Sequence, residues 1–176
     1  MLYFYILRKG ELKMEYKYLT LGKKAITKES WDDIKNEVFV KPFGGLWASC
    51  YIEKGEFKSQ WHEFAVKGLS SKDYNYGVVF NLKENAKIYT IDTYDDFANL
   101  LKDNKESTEL DELFKSLKFS FLDFEKLATT YDAIFLTSKG ERETRSMTRA
   151  NLYGWDVESL LVLNFDCIGE QLYVEF

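Results

Sequence analysis

A series of short runs rich in β-branched and aromatic residues sets the strongest limit on what this chain can fold into. "GLWASCYI" (45–52), "YGVVFNL" (76–82), "AKIYTID" (86–92), "AIFLT" (133–137), "SLLVLN" (159–164) and "EQLYVEF" (170–176) all read as strands, and "EYKYLT" (15–20) alternates in the strand manner. None approaches the roughly 18 uninterrupted apolar residues of a membrane span. Between the fourth and third of these runs the pattern changes to helical spacing. Thr93 caps one helix with Tyr94, Phe97, Leu100 and Leu101 on a stripe; Leu110, Leu113, Phe114 and Leu117 mark a second; Asp123 caps a third bearing Phe124, Leu127, Ala128 and Tyr131. Earlier, Ser30 is expected to cap a short helix with Trp31, Ile34 and Val38 on one face, and Ser59 a helix carrying Trp61, Phe64 and Ala65. Strands at both ends of the sequence and helices in the middle predict an α+β domain with a mostly antiparallel split sheet.

No linker, repeat or low-complexity tract divides the 176 residues, a length that suits one domain. Residues 1–13 read as an N-terminal extension or an edge strand, and 14–176 as a single compact domain. The apolar run at the N-terminus precedes its basic residues, the reverse of a secretory signal. Cys50 and Cys167 stand in or beside apolar runs without a CxxC, which suits free thiols in a reducing cytoplasm. With one histidine, His62, a Cys/His metal site is not expected. A formal net charge of -5 opposes broad non-specific binding to nucleic acid, although "SKGERETRSMTR" (138–149) forms a local basic stretch. The polar loop 138–158 is longer than most within a domain, which points to a functional or locally helical segment.

Carboxylates are the main candidates for chemistry, since no GxSxG, phosphate loop, GxGxxG or HExxH occurs. Asp156 and Glu158, in "LYGWDVESLLVLN", project from the same side if the strand alternation begins there, at the mouth of an apolar strand. They read equally as a positioned pair or as solvated flanks of an edge strand. The other distinctive stretch is "KPFGGLWASCYIEKGEFKSQW" (41–61). Its glycine pair frees the backbone either for a turn into a core strand or for close approach of a ligand, with Trp47 as an adjacent stacking ring. Trp155 is either core or a lid on the same cleft.

Taken together, "YLTLG" (18–22), "FGGLWAS" (43–49) leading to a helix that opens "SQW", and the late "WDVESLLVLN" resemble the ADP-ribosyltransferase superfamily, in particular the second motif of its poly-ADP-ribose-polymerase-like branch. The resemblance implies an NAD-dependent transferase, a glycosyltransferase in chemical terms, that cleaves the nicotinamide-ribose bond and passes ADP-ribose to a protein or nucleic-acid acceptor. A role as an intracellular toxin or a phage or defence-system effector would suit it. By the same resemblance Trp47 stacks on nicotinamide, with Gly45 before it and Ser49 and Ser59 lining the pocket. Glu158 bonds the nicotinamide-ribose hydroxyl and steadies the oxocarbenium-like transition state, and Asp156 takes the position two residues earlier. The family's first motif carries a histidine or arginine that grips NAD; "YLTLG" has Thr20 as its nearest polar residue. Thr20 with backbone groups, or Arg142, Arg145 or Arg149, would then hold the dinucleotide, unless the fold persists without catalysis. The competing reading is a non-catalytic binding or inhibitor protein with an aromatic-rich surface, and a weaker one is nucleic-acid end processing through the basic stretch.

Overall fold

The apolar runs do pair edge to edge, into a seven-stranded sheet. The computed structural model describes residues 17–37, 41–69, 74–105, 121–145, 150–152 and 154–176. The strands are β1 (Tyr18–Leu21), β2 (Leu46–Cys50), β3 (Tyr76–Leu82), β4 (Ile88–Ile91), β5 (Ala133–Leu136), β6 (Ser159–Val162) and β7 (Ile168–Glu175). Their order across the sheet is β4-β5-β6-β2-β1-β3-β7, with β4 and β5 parallel and every other pair antiparallel. The helices among the described residues are α1 (Gln60–Gly68), α2 (Tyr94–Asp103), α3 (Phe124–Ala128) and α4 (Ser138–Thr144). Among the described residues, no helix is long and apolar enough to cross a membrane.

The sheet changes partners along β2. Leu46, Trp47 and Ala48 pair with Val162, Leu161 and Leu160 of β6, whereas Ser49 and Cys50 pair with Leu19 and Tyr18 of β1. This short strand therefore joins two half-sheets, and any group at its C-terminal end stands where β2 leaves β6.

Pleating sends alternate residues to two apolar layers. Ile134, Leu136 and Leu161 join Phe97 and Leu100 of α2 and Phe124 and Leu127 of α3 in one layer, with Trp155 buried among them. Their neighbours Ala133, Leu160 and Val162 face the other layer, with Val78, Phe80 and Ile26. The helices start where side chains satisfy their first amide groups. Thr93 and Asp96 form a reciprocal capping box on α2, and Asp123 accepts from Lys126 N at 2.9 Å on α3.

Some expectations are corrected. Ser30 does not open a helix; it closes a 3-10 turn over Lys28–Ser30, after which the chain runs on without helix through residue 37. Two needs outweigh the helical spacing there. Lys35 exchanges both backbone hydrogen bonds with Phe43 at 3.0 Å, and Asn36 Oδ1 accepts from Phe124 N at 2.7 Å at the start of α3. On α1 the buried residues are His62 and Ala65, while Phe64 is 39% exposed. Helix α3 ends before Tyr131 because both the amide and the hydroxyl of Thr129 turn back onto the Lys126 carbonyl. The long polar loop holds α4. Residues 1–13, Val38, the helix expected around Leu110, Leu113, Phe114 and Leu117, and Arg149 lie outside the described residues.

Candidate active site

The three stretches singled out in the sequence occupy neighbouring strands, since β6, β2 and β1 are consecutive in the sheet. The glycine pair has a structural cause. Gly44 and Gly45 have φ of 79° and 66°, in the left-handed region. A Cβ on Gly45 would stand 2.6 Å from the Val162 carbonyl oxygen and 2.7 Å from Ile34 Cδ1, so the absence of a side chain lets β2 start against β6. This is the turn into a core strand, and it delivers Trp47 to its position.

Trp47 lies partly buried at the wall of a cleft of about 250 Å³ lined by Lys41, Trp47, Ala48, Trp61, Asp156 and Ser159. Trp155 is not a lid. It is 1% exposed, stands edge-on to Trp47 with ring centroids 4.7 Å apart, and stacks against Phe124 from behind. Lys41 Nζ is 3.1 Å from Asp156 Oδ2, 5.5 Å from the Trp47 ring centre and 5.9 Å from that of Trp61. Among the described residues the cleft therefore has two indole walls and one carboxylate, and a cation of the protein's own stands among them.

Glu158 has a different setting. Because β6 begins only at Ser159, Asp156 and Glu158 precede the regular alternation and go to separate partners. Asp156 turns to Lys41 in the cleft. Glu158 bonds across to β2: its Oε1 accepts from Cys50 N at 3.1 Å, and its main-chain carbonyl accepts from Ser49 Oγ at 3.0 Å. Continuing the β2/β6 register would set Cys50 opposite Glu158, but there β2 has already left for β1. The Glu158 side chain replaces the missing ladder bond. Its second oxygen, Oε2, accepts from Ser138 Oγ at 3.1 Å, and Ser138 Oγ in turn accepts from Gln60 Nε2 at 2.6 Å. The starts of α1 and α4 and the end of β2 thus converge on one carboxylate.

Burial foremost, then the hydrogen bond with Glu158 and its negative charge, pushes the Cys50 thiol up to about 12; burial foremost does the same for Cys167. Neither suits a nucleophile at neutral pH. Burial first, then the neighbouring Cys50 and Glu158, raises Tyr18 as well.

Of the remaining expected residues, Ser49 is fully buried with its hydroxyl committed to the Glu158 carbonyl. Ser59 is buried as the cap of α1, accepting from His62 N at 3.0 Å. Thr20 is buried in β1 opposite Val78. None of these three, nor Gly45 or Glu158, lines the cleft. Arg145 reaches the Asp156 carbonyl at 3.4 Å and pairs with Glu141 at 2.6 Å. His62 is a packing residue, with Nδ1 accepting from Lys58 N at 2.9 Å and its ring against Phe176. Sequence reasoning missed Lys41, Gln60, Ser138 and the cleft role of Trp61. Their partners are distant in sequence, Gln60 meeting Ser138 across 78 positions and Ser138 meeting Glu158 across 20, so no local pattern signals them.

Compared with known proteins, the chain matches no protein-family model, no curated protein and no solved structure.

Proposed function

We propose that the chain is an NAD-dependent ADP-ribosyltransferase that uses Glu158 as its catalytic carboxylate. The observation that carries this reading is the convergence on Glu158, which stands at the parting of two half-sheets beside the strand that bears Trp47. Cys50 N fixes one oxygen, while among the described residues the other is held by a serine hydroxyl, which a ribose hydroxyl can replace. In the reaction the bond between nicotinamide and ribose C1 breaks, and its electron pair leaves with the ring, which becomes neutral. Positive charge then builds on the ribose, where a fixed carboxylate stabilises it. The acceptor's nucleophile closes on C1 and gives up a proton.

A cleft of about 250 Å³ suits the nicotinamide end of NAD against Trp47 and leaves the diphosphate and adenosine outside. Arg145, at the Asp156 backbone, is the described guanidinium best situated for the diphosphate. The test is calorimetric titration with NAD followed by assay of released nicotinamide, for wild type and Glu158→Gln. Binding by both with release by wild type alone supports the proposal; a folded wild type that neither binds nor releases refutes it.

A second reading is favoured by one observation: both Glu158 oxygens and the hydroxyls of Ser49 and Ser59 are already engaged within the protein. Under it the clasp is purely structural, and the chain is a binding or inhibitor protein. The exposed Phe43, and Phe64 stacked on Trp61, would be its contact residues. Glu158→Gln would then leave association unchanged, while Phe43→Ser and Phe64→Ser would abolish it.

A further inference from the structure

We infer that the Trp47/Trp61 cleft is a receptor for an organic monocation, with its charge spread over methyl groups or a ring, and that Lys41 is a built-in competitor for it. The ligand class is a quaternary ammonium or an N-alkylpyridinium. The inference does not rest on NAD cleavage, although the nicotinamide end of NAD is one member of the class.

Three observations converge. First, two indole rings flank one point, and indole is the side chain whose face attracts cations most strongly. Second, the charge at that point is balanced by Asp156, 3.1 Å from the ammonium now there. Third, open volume of about 250 Å³ adjoins it, the space of about eight waters at roughly 30 Å³ each. Lys41 satisfies the charge but does not use the room. A primary ammonium is compact and strongly hydrated, which sets its attraction to an aromatic face against its attraction to water. Lys41 stays 41% exposed, so it keeps much of its hydration while it stands over the rings. A methylated or ring-delocalised cation loses less on leaving water and touches both indoles along its carbon surface. It can therefore displace Lys41, whose flexible stem carries the ammonium out to solvent.

The test is titration of the full chain, followed by tryptophan fluorescence and calorimetry. Choline is paired with 3,3-dimethylbutan-1-ol, its neutral carbon counterpart, and 1-methylnicotinamide with neutral nicotinamide. The variants are Lys41→Gln, Lys41→Arg and Trp61→Ala, each first checked for an unchanged unfolding profile. Lys41→Gln should bind at least one of the cations about tenfold more tightly than wild type, since no ion pair or ring contact has to be broken. Lys41→Arg should return binding to the wild-type level or below, and Trp61→Ala should lose it. Equal affinity for charged and neutral partners, or no tightening in Lys41→Gln, would overturn the inference. Cation binding without nicotinamide release from NAD would support the cage and count against the transferase reading. Release without any preference for cations would do the reverse.

Discussion

Replacing Glu158 should cost stability as well as activity, and the two effects can be separated. Glu158→Ala removes the acceptor for Cys50 N and the acceptor for Ser138 Oγ, both at 3.1 Å. Hydrogen bonds to a charged group contribute about 1.5–3 kcal/mol when well shielded; at this half-buried place about 1 kcal/mol each is reasonable, or about 2 kcal/mol in all. For a chain of this size that lowers Tm by about 4–8 °C. Glu158→Gln keeps an oxygen for Cys50 N and can offer its amide to Ser138 Oγ, so its loss should stay below about 1 kcal/mol. Ser138→Ala should fall between them. Thermal unfolding followed by circular dichroism gives all three values, and the double variant Glu158→Ala with Ser138→Ala should lose less than the sum of the singles because the two share a bond. A Tm for Glu158→Ala at or above that of wild type would refute the clasp, and would mark Glu158 instead as a carboxylate held at the expense of stability.

Further outcomes follow from the same geometry. Gly45→Ala combines a left-handed φ of 66° with a Cβ that would collide with the Val162 carbonyl, and should destabilise by about 3 kcal/mol in urea titration. Burial, then the Lys58 charge, lowers the His62 pKa below 6.5, so the unfolded chain binds more protons in that range. Stability from this residue is therefore complete above pH 6.5 and declines as pH falls toward the folded pKa. His62→Asn, which can still accept from Lys58 N, should flatten that part of the stability profile. With their thiols pushed up to about 12, Cys50 and Cys167 should resist iodoacetamide at pH near 8 in the native protein and react promptly in urea, as read by mass spectrometry.

Much of the framework is legible in the residues themselves. "YGVVFNL" becomes β3 at its expected bounds, and Ser59, Thr93 and Asp123 all cap the helices that follow them, because strand pattern and cap chemistry are local. The region after Ser30 misleads because its competitors are remote: Lys35 is claimed by Phe43, and Asn36 by a helix almost ninety positions later. The candidate site divides in the same way. Trp47, Asp156 and Glu158 stand out by type and context, yet period-two alternation failed for the carboxylates because β6 begins one residue after Glu158. Lys41, Gln60 and Ser138 acquire their roles only through tertiary contact. No spacing rule joins Gln60 to Ser138, or Lys41 to Asp156.

The most direct measurement is nicotinamide release from NAD over time by wild type, Glu158→Gln and Ser138→Ala, at a temperature where all three are folded. If Glu158 is the catalytic carboxylate, wild type releases nicotinamide and Glu158→Gln loses on the order of a hundredfold or more in rate, the scale seen when one transition-state-stabilising group is removed. Ser138→Ala should retain most of the activity, since its hydroxyl yields to the substrate. Equal release by wild type and Glu158→Gln, or none from folded wild type, would contradict the proposal and leave Glu158 as a structural clasp.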